Sequence, residues 1–213
     1  MALAPLPPPE NPIPRGGRDP DLAPVPAAPG VPVALPSGVD RYRVGDEWSY
    51  ERVDLLDGGR RQQLLQRVTA IQDGRVSVND GMHVLDQMGG ILRNRFGSKQ
   101  PALLVIPSDL QVGRRWRTAF INKHDRQPPA RSYYDGRVDA LETVEVPAGR
   151  FRCYRLELQG ESESERGFGR LLRVRVWVDP TTMLKVRDEI VRVRAEAAAR
   201  KGWMFDTYLL RRR

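Results

Sequence analysis

The chain has 213 residues, of which 40% are hydrophobic and 29% are charged, so it holds enough apolar material for one substantial core and too little for two full domains. Its net charge of +8 favours anionic partners such as nucleic acid, lipid headgroups or acidic proteins. A single cysteine, Cys153, excludes an intramolecular disulfide and a thiolate metal cluster, and no apolar run approaches the roughly 18 residues of a membrane-spanning helix.

The first forty residues have the composition of an extended segment without a core. They contain 12 of the 18 prolines, alternating with Ala, Val and Leu, which favours polyproline II structure. We predict a disordered, Pro-rich tether over residues 1–40, with a PxxP form at Pro5–Pro8 as a weaker indication of docking to a proline-binding groove. The opening residues lack a basic region and are interrupted by proline, so we do not expect a signal peptide. The chain is then either cytoplasmic or a processed form.

Residues 41–213 carry the pattern of a single antiparallel β domain that begins with a meander. A strand ending near Leu56 is followed by a hairpin turn at Asp57-Gly58-Gly59, and Asp73-Gly74 separates the alternating runs 60–72 and 75–79. Short alternating runs bounded by Asp-Gly turns are typical of antiparallel hairpins.

The middle of the chain contains a bent pair of strands, a loop and an apolar run. We predict the strand pair over residues 82–95 and the loop over 96–100. The run 101–107 lies between two prolines, which favours an edge segment or a lid over the core rather than a central strand. The next strand begins with V-G-x-x-W ending at Trp116, which repeats the V-G-x-x-W that ends at Trp48.

The longest predicted strands flank a turn at Pro147-Ala148-Gly149. Pro147 fixes φ for a turn, and Gly149 accepts a positive φ without steric cost. Residues 132–146 precede the turn and 151–158 follow it. Simple alternation places the following residues of the first strand on one face: Val138, Ala140, Glu142, Val144 and Val146.

The last third of the chain predicts three further strands, over residues 170–179, 183–194 and 203–210, with a short helical turn at 195–201. The first of them alternates clearly, with Leu172, Val174, Val176 and Val178 facing one way and Arg173, Arg175 and Trp177 the other. The acidic stretch 159–169 is expected to be a solvated hairpin tip rather than a cation site. The predicted fold is mainly β: a curved antiparallel sheet or half-open barrel with at most short helices.

Four motifs in order carry a resemblance to a family of β-rich bacterial envelope proteins of unknown function. They are V-G-x-x-W-x-Y at 44–50, P-x-x-L-x-V-G-x-x-W at 107–116, V-x-V-P-A-G-x-F at 144–151 and W-V-D-P at 177–180. Such proteins look similar to lipoprotein-carrier half-barrels of the LolA type, in which a curved sheet wraps around an apolar cavity. The resemblance implies a location in the periplasm or at the outer-membrane periphery, and it brings no catalytic residues.

The sequence offers little for catalysis. Cys153 with His83 or His124 is the candidate nucleophile and base, but a lone cysteine on a strand is more often a packing residue. Neither G-x-S-x-G, Walker A, G-x-G-x-x-G nor H-E-x-x-H occurs, and two separated histidines do not favour a metal site. We predict that the protein is not an enzyme and uses no cofactor or metal.

Binding is the predicted function. Within a curved sheet, a cavity lined by Trp48, Trp116, Leu104 and Ile106 would hold an acyl chain or a segment of a partner protein, and a filled core is an equally compatible alternative. The protein would then be an accessory or assembly subunit of an envelope complex, joined to the membrane only by its tether or by a lipid anchor absent from this chain.

Single-stranded nucleic-acid binding is the alternative function, because basic strands and aromatic residues can hold phosphates and stack bases. Arg173 and Arg175 beside Trp177 are the candidate residues. The chain lacks RNP, KH and zinc-knuckle signatures, which weighs against this alternative.

Overall fold

The computed structural model of the protein describes residues 41–124, 127–164, 170–194 and 203–212. Within these ranges the chain forms twelve β-strands and no helix. The strands are β1 Glu47–Asp54, β2 Arg60–Gln72, β3 Arg75–Val78, β4 His83–Leu85, β5 Ile91–Asn94, β6 Gly97–Leu103, β7 Arg115–His124, β8 Gln127–Val146, β9 Gly149–Ser164, β10 Arg170–Asp179, β11 Leu184–Arg194 and β12 Trp203–Arg212. The predicted mainly-β fold is confirmed, whereas the predicted tether at 1–40 and helical turn at 195–201 lie outside the described residues.

The sheet is a closed antiparallel barrel. Each strand pairs with its neighbours in sequence, and β1 pairs with β12 from Trp48 opposite Arg212 to Asp54 opposite Phe205. The predicted curved sheet therefore closes completely instead of remaining half-open. Closure gives β1 and β12 each a hydrogen-bonding partner, so neither is left as a sheet edge.

The burial pattern of β7 shows which face of the sheet points into the barrel. Trp116, Thr118 and Phe120 are buried, while Arg117 and Ala119 between them are exposed. Directly paired residues of neighbouring strands share a face. The register from β7 through β8 and β9 to β10 therefore carries the inward face to Gly136, Leu158 and Val174.

A β-bulge at Asp139 divides the long strand β8 into two parts. Val138 pairs with Leu156, but Ala140 pairs with Arg155, so the register shifts by one residue. Val138 points toward the interior, whereas Ala140, Val144 and Val146, which follow the bulge, lie on the other face. The prediction that Val138 shares a face with Ala140, Val144 and Val146 is wrong because the extra residue breaks the alternation.

Two segments predicted as loops belong to strands. β6 begins at Gly97, within the predicted loop 96–100, and β9 continues to Ser164, through half of the predicted hairpin tip 159–169. Gly97 has a φ of 106° and lies against the backbone of Lys123, so a side chain at this position would collide with the neighbouring strand. The glycine therefore permits a tight turn directly into β6. Residues 165–169 lie outside the described residues.

The buried apolar side chains form two clusters. The first contains Trp48, Tyr50, Val68, Val76, Val78, Val144, Val146, Cys153, Trp177, Leu184, Val186 and Leu209. The second contains Leu110, Trp116, Val138, Leu156, Leu158, Val176, Val178 and Met183. Strand β10 contributes to both clusters from its two faces, with Val176 and Val178 in the second cluster and Trp177 in the first.

The segment after β6 covers the second cluster. Leu104, Val105 and Ile106 pack against it, Trp116 Nε1 donates a hydrogen bond to the Leu104 carbonyl at 3.2 Å, and Leu104 N donates to Thr118 Oγ1 at 3.3 Å. This placement agrees with the predicted lid for residues 104–106, whereas residues 101–103 of the predicted run belong to strand β6. The Trp116 ring fits beneath the lid because its register partner is Gly136, where a Cβ atom would collide with the indole.

Candidate functional site

The structure divides the four residues predicted to line a cavity between the two clusters. Trp116 lies in the second cluster with Leu104 and Ile106 packed against it, whereas Trp48 lies in the first. Both indoles are buried, with 3% exposure for Trp48 and 7% for Trp116. The two indoles thus belong to different clusters, and neither lines the groove described next.

A groove of about 330 Å³ opens at one end of the barrel, beside the first cluster. Three pieces of chain form it: the β8–β9 turn, the β10–β11 turn with the start of β11, and the end of β12. The lining residues are Pro147, Ala148, Phe151, Asp179, Thr182, Leu184, Val186, Leu209, Leu210, Arg211 and Arg212. Seven of these eleven residues are apolar, which makes the groove a candidate site for a hydrophobic ligand.

Backbone hydrogen bonds hold the two turns in place. Ala148 N donates to the Leu209 carbonyl at 3.1 Å, which ties the β8–β9 turn to β12. In the β10–β11 turn, Met183 N donates to the Asp179 carbonyl at 2.8 Å, and Met183 adopts a φ of 55°. The groove walls are therefore built from hydrogen-bonded turns rather than from open loops.

The groove has an apolar floor and a basic rim. Leu184, Val186 and Leu209 on the floor are buried, with exposures of 8% or less. Arg211 and Arg212 on the rim are exposed, and Arg211 lies 3.9 Å from Glu47 in a long ion pair. Such a loose pair at the surface leaves the guanidinium available to a ligand.

The one carboxylate among the groove-lining residues, Asp179, is engaged by its own turn. Its Oδ1 accepts a hydrogen bond from Thr181 N at 3.0 Å, and its Oδ2 accepts one from Thr182 Oγ1 at 2.8 Å. The negative charge is therefore partly satisfied before any ligand enters. The charge of the rim is therefore positive, because Arg211 and Arg212 lie there.

Sequence reasoning missed the groove although it singled out the residues that build it. V-P-A-G-x-F supplies Pro147, Ala148 and Phe151, and W-V-D-P supplies Asp179. Both motifs lie at turns of the sheet, after β8 and after β10. The signal that could have located the groove is that the β8–β9 and β10–β11 turns lie at the same end of an antiparallel sheet, beside the apolar start of β11.

The predicted basic surface at Arg173 and Arg175 lies on the outer face of the barrel. Arg175 is ion-paired there with Glu157 at 3.1 Å and with Glu189 at 3.5 Å. These contacts belong to a row of alternating charges that crosses five strands from β8 to β12: Arg137, Glu157, Arg175, Glu189, Arg187 and Asp206. Arg175 is thus already neutralised by carboxylates.

Trp177 lies on the same outer face, as the alternation of β10 predicts. Its Nε1 donates to Glu142 Oε1 at 2.7 Å, and the guanidinium of Arg187 lies 4.8 Å from its ring centroid. The indole is only 6% exposed, so its faces are covered. This arrangement gives no open stacking surface for a base, and the nucleic-acid alternative stays a prediction.

Cys153 is fully buried in the first cluster. Burial raises the pKa of its thiol to about 12, with a smaller contribution from the negative charge of Asp179. The thiol is therefore protonated at neutral pH and is not poised as a nucleophile. Among the described residues, no group of three or more His, Cys, Asp and Glu side chains could hold a metal ion.

The described residues also include no helix long and apolar enough to span a membrane. Together, the observations define a closed twelve-stranded antiparallel β-barrel with an apolar, basic-rimmed groove at one end. No known protein family matches the sequence. No curated protein matches it either.

Among solved structures, the chain is similar to three bacterial proteins. The hypothetical lipoprotein YmcC from Escherichia coli has 12% identity and a TM-score of 0.41, covering 84% of this chain and 90% of that one. A provisionally described exported protein with a YmcC-like fold, from Bacteroides fragilis, has 14% identity and a TM-score of 0.40, with coverages of 80% and 96%. A provisionally described lipoprotein from Parabacteroides distasonis has 13% identity and a TM-score of 0.41, again with coverages of 80% and 96%.

Proposed function

We propose that this protein is a non-catalytic binding protein of the bacterial cell envelope, and that the groove at the end of its barrel takes an amphiphilic anion. The occupant would be an acyl chain with an anionic end group. The apolar floor would bury the chain, while Arg211 and Arg212 on the rim would pair with the anionic group. The envelope location is the one implied by the resemblance that the four sequence motifs carry.

One observation carries this proposal: the apolar floor is continuous with a rim whose exposed charges are positive. Burying apolar ligand surface contributes roughly 25 cal/mol per Å², so a short stretch of chain in the groove would already bind measurably. Exposed arginines at the rim add a smaller, salt-sensitive attraction. An acyl anion satisfies both features, whereas a neutral chain satisfies only the first.

Titration of the full chain with palmitate, followed by displacement of a fluorescent fatty acid, tests the proposal. We expect saturable binding of palmitate, weaker binding of hexadecanol, and weakening of palmitate binding at high salt. Reversal of the rim charges in Arg211→Glu/Arg212→Glu is expected to weaken palmitate binding about tenfold, equivalent to about 1.4 kcal/mol. Hexadecanol binding should change little.

Two further variants sharpen the experiment. Ala148→Phe would fill the groove from its turn and should abolish binding of both ligands. The turn should keep its place, because the backbone N–H that ties it to β12 is retained. Arg75→Glu/Arg131→Glu reverses two exposed charges away from the groove and serves as the matched control. Equal loss of palmitate binding in the control, or no loss in Ala148→Phe, would show that the groove is not the site.

A further inference from the structure

Three polar residues form a row across the interior of the barrel. Arg52 of β1 pairs directly with Thr207 of β12, and Thr207 pairs directly with Asp188 of β11. Asp188 in turn pairs with Val176, which belongs to the inward-facing second cluster. Because directly paired residues share a face, all three side chains point into the barrel.

Two residues of this row have a buried polar atom without a hydrogen bond to any described residue, namely Arg52 Nε and Thr207 Oγ1. The third, Asp188, has its Oδ1 atom 3.0 Å from Lys185 Nζ. Thr207 is fully buried and Asp188 is 3% exposed. Since more than about nine in ten buried polar groups find a partner in native proteins, two neighbouring exceptions that can both donate a hydrogen bond point to an acceptor group that the row is built to receive.

The surroundings of the row are positively charged. Lys185 Nζ lies 3.0 Å from Asp188 Oδ1, so the carboxylate of the row already has a cationic partner. The same ammonium lies 4.8 Å from the Tyr50 ring centroid, and the Arg52 guanidinium lies 5.2 Å from the Phe205 ring centroid. With the one carboxylate of the row paired to Lys185, the charge of Arg52 remains in excess.

His83 also faces the barrel interior and is subject to the same positive charges. It pairs with Val78 on the inward face of β4. Its pKa is lowered by burial and by four cations, namely Arg95, Lys185, Arg52 and Lys99. Burial alone would lower this pKa, but the charged groups that act on His83 are all cations, which agrees with an interior that favours anions.

Charged side chains beside the row reach solvent, although Thr207 itself is fully buried. Arg52, His83 and Lys185 are only half-buried although they face inward, and Gln62, the inward-facing partner of Arg52 on β2, is exposed. By contrast, Tyr50 and Trp48 farther along β1 are buried. The barrel interior is therefore filled by core side chains toward the groove end and partly exposed to solvent, which we call open, at the level of Arg52.

We infer that the open part of the barrel interior is an oxyanion site, in which Arg52 and Thr207 donate hydrogen bonds to a phosphate or carboxylate group and Lys185 contributes a second positive charge. Asp188 holds Lys185 in place. This site is separate from the groove, and it takes its ligand by charge and hydrogen bonding rather than by apolar burial.

Inorganic phosphate is the first probe, measured by calorimetry and by the thermal midpoint of the full chain, with sodium chloride at equal ionic strength as reference. We expect saturable binding that chloride does not reproduce. Arg52→Met should weaken phosphate binding at least about tenfold, the usual effect of losing a charged hydrogen bond. Arg93→Met removes an exposed arginine from the outer face of β5 and should leave binding unchanged.

Thr207→Val separates a binding role from a folding role. The change keeps the shape of the side chain and removes a hydroxyl that has no hydrogen-bond partner among the described residues, so the thermal midpoint without phosphate should be unchanged or higher. Phosphate binding should nevertheless weaken severalfold. Wild-type phosphate affinity in both Arg52→Met and Thr207→Val would overturn the proposal and assign the binding to the surface.

Vesicles distinguish the source of the anion. Binding of free phosphate or glycerol phosphate that depends on Arg52 would identify a soluble ligand. Arg52-dependent binding confined to vesicles of phosphatidylcholine with phosphatidic acid would identify a lipid headgroup. If neither is observed, the proposal is overturned, and ordered water would be the hydrogen-bond partner of the unpaired atoms.

Discussion

At the scale of single residues, Lys99 shows how the barrel accommodates a buried charge. It is 7% exposed, and its ammonium donates to Asn94 Oδ1 at 2.8 Å and to the Gly97 carbonyl at 3.0 Å. These hydrogen bonds stabilise the turn between β5 and β6. Burial nevertheless lowers the pKa of Lys99 from 10.5 to about 8, so the charged form is disfavoured in the folded state.

This lowered pKa predicts a pH-dependent stability difference between the wild type and Lys99→Met. Between about pH 8 and pH 10.5 the unfolded chain binds a proton at Lys99 that the folded chain does not, so the wild type gains stability as pH rises through this window. The gain relative to Lys99→Met should reach up to about 3 kcal/mol, at about 1.4 kcal/mol per pKa unit. Urea unfolding at pH 7, 8, 9 and 10.5 measures it.

Lys123→Met, which removes an exposed lysine near the same turn, is the control for loss of one positive charge. Its stability should run parallel to that of the wild type across the window. A constant difference between wild type and Lys99→Met from pH 7 to pH 10.5 would contradict the assigned pKa shift.

At the scale of elements, the β8–β9 hairpin combines a predictable turn with an unpredictable bulge. Val146 pairs with Gly149 across the Pro147-Ala148 turn, and Gly149 has a φ of 130°, as its place in the turn required. Alternation could not reveal the bulge at Asp139, because neither glycine nor proline marks it. That bulge directs Glu142 to the outer face, where it accepts the hydrogen bond from Trp177.

Gly149→Val should destabilise the protein through the backbone. A Cβ atom at this position would meet no atom closer than 3.9 Å, so the cost comes from the φ of 130° rather than from a clash. A residue held in such a conformation costs of order 1–3 kcal/mol. Thermal unfolding of the full chain measures the loss.

Arg150→Val places the same side chain one residue later, at an exposed position, and should change the thermal midpoint little. A Gly149→Val variant with a wild-type midpoint would show that the turn tolerates a β-branched residue. Damage of equal size in both variants would point to a general intolerance of valine at the start of β9.

At the scale of the whole molecule, the features that the sequence pattern could not predict are those that depend on closure of the barrel. Alternation within β10 correctly separated Val176 from Trp177, but alternation alone does not say which face of a sheet becomes an interior. Arg52, His83 and Lys185 lie on three strands far apart in sequence, and they share an interior only because β12 returns to β1. Bulges at Asp139 and on β11 further change which residues point inward.

Closure itself predicts that cysteines placed on β1 and β12 will form an intramolecular disulfide. Ser49 pairs directly with Arg211, and directly paired residues of antiparallel strands have Cα atoms about 4.5–5.5 Å apart, within the range of a disulfide. In a Cys153→Ala background, Ser49→Cys/Arg211→Cys should oxidise to a monomer that has lost two hydrogens by intact mass and migrates faster on a non-reducing gel. Ser49→Cys/Arg131→Cys, with its second cysteine on β8, should remain reduced or form dimers.

The bond would enclose almost the whole barrel in one loop. For a loop of this length, the chain-entropy treatment gives a stabilisation of about 4–5 kcal/mol, less any strain in the folded state. Denaturant unfolding of the oxidised and reduced forms measures this difference, because reduction restores the open chain without changing the sequence. If β1 and β12 were instead free edges, oxidation would yield disulfide-linked dimers through those edges, and stability would not depend on the redox state of the monomer.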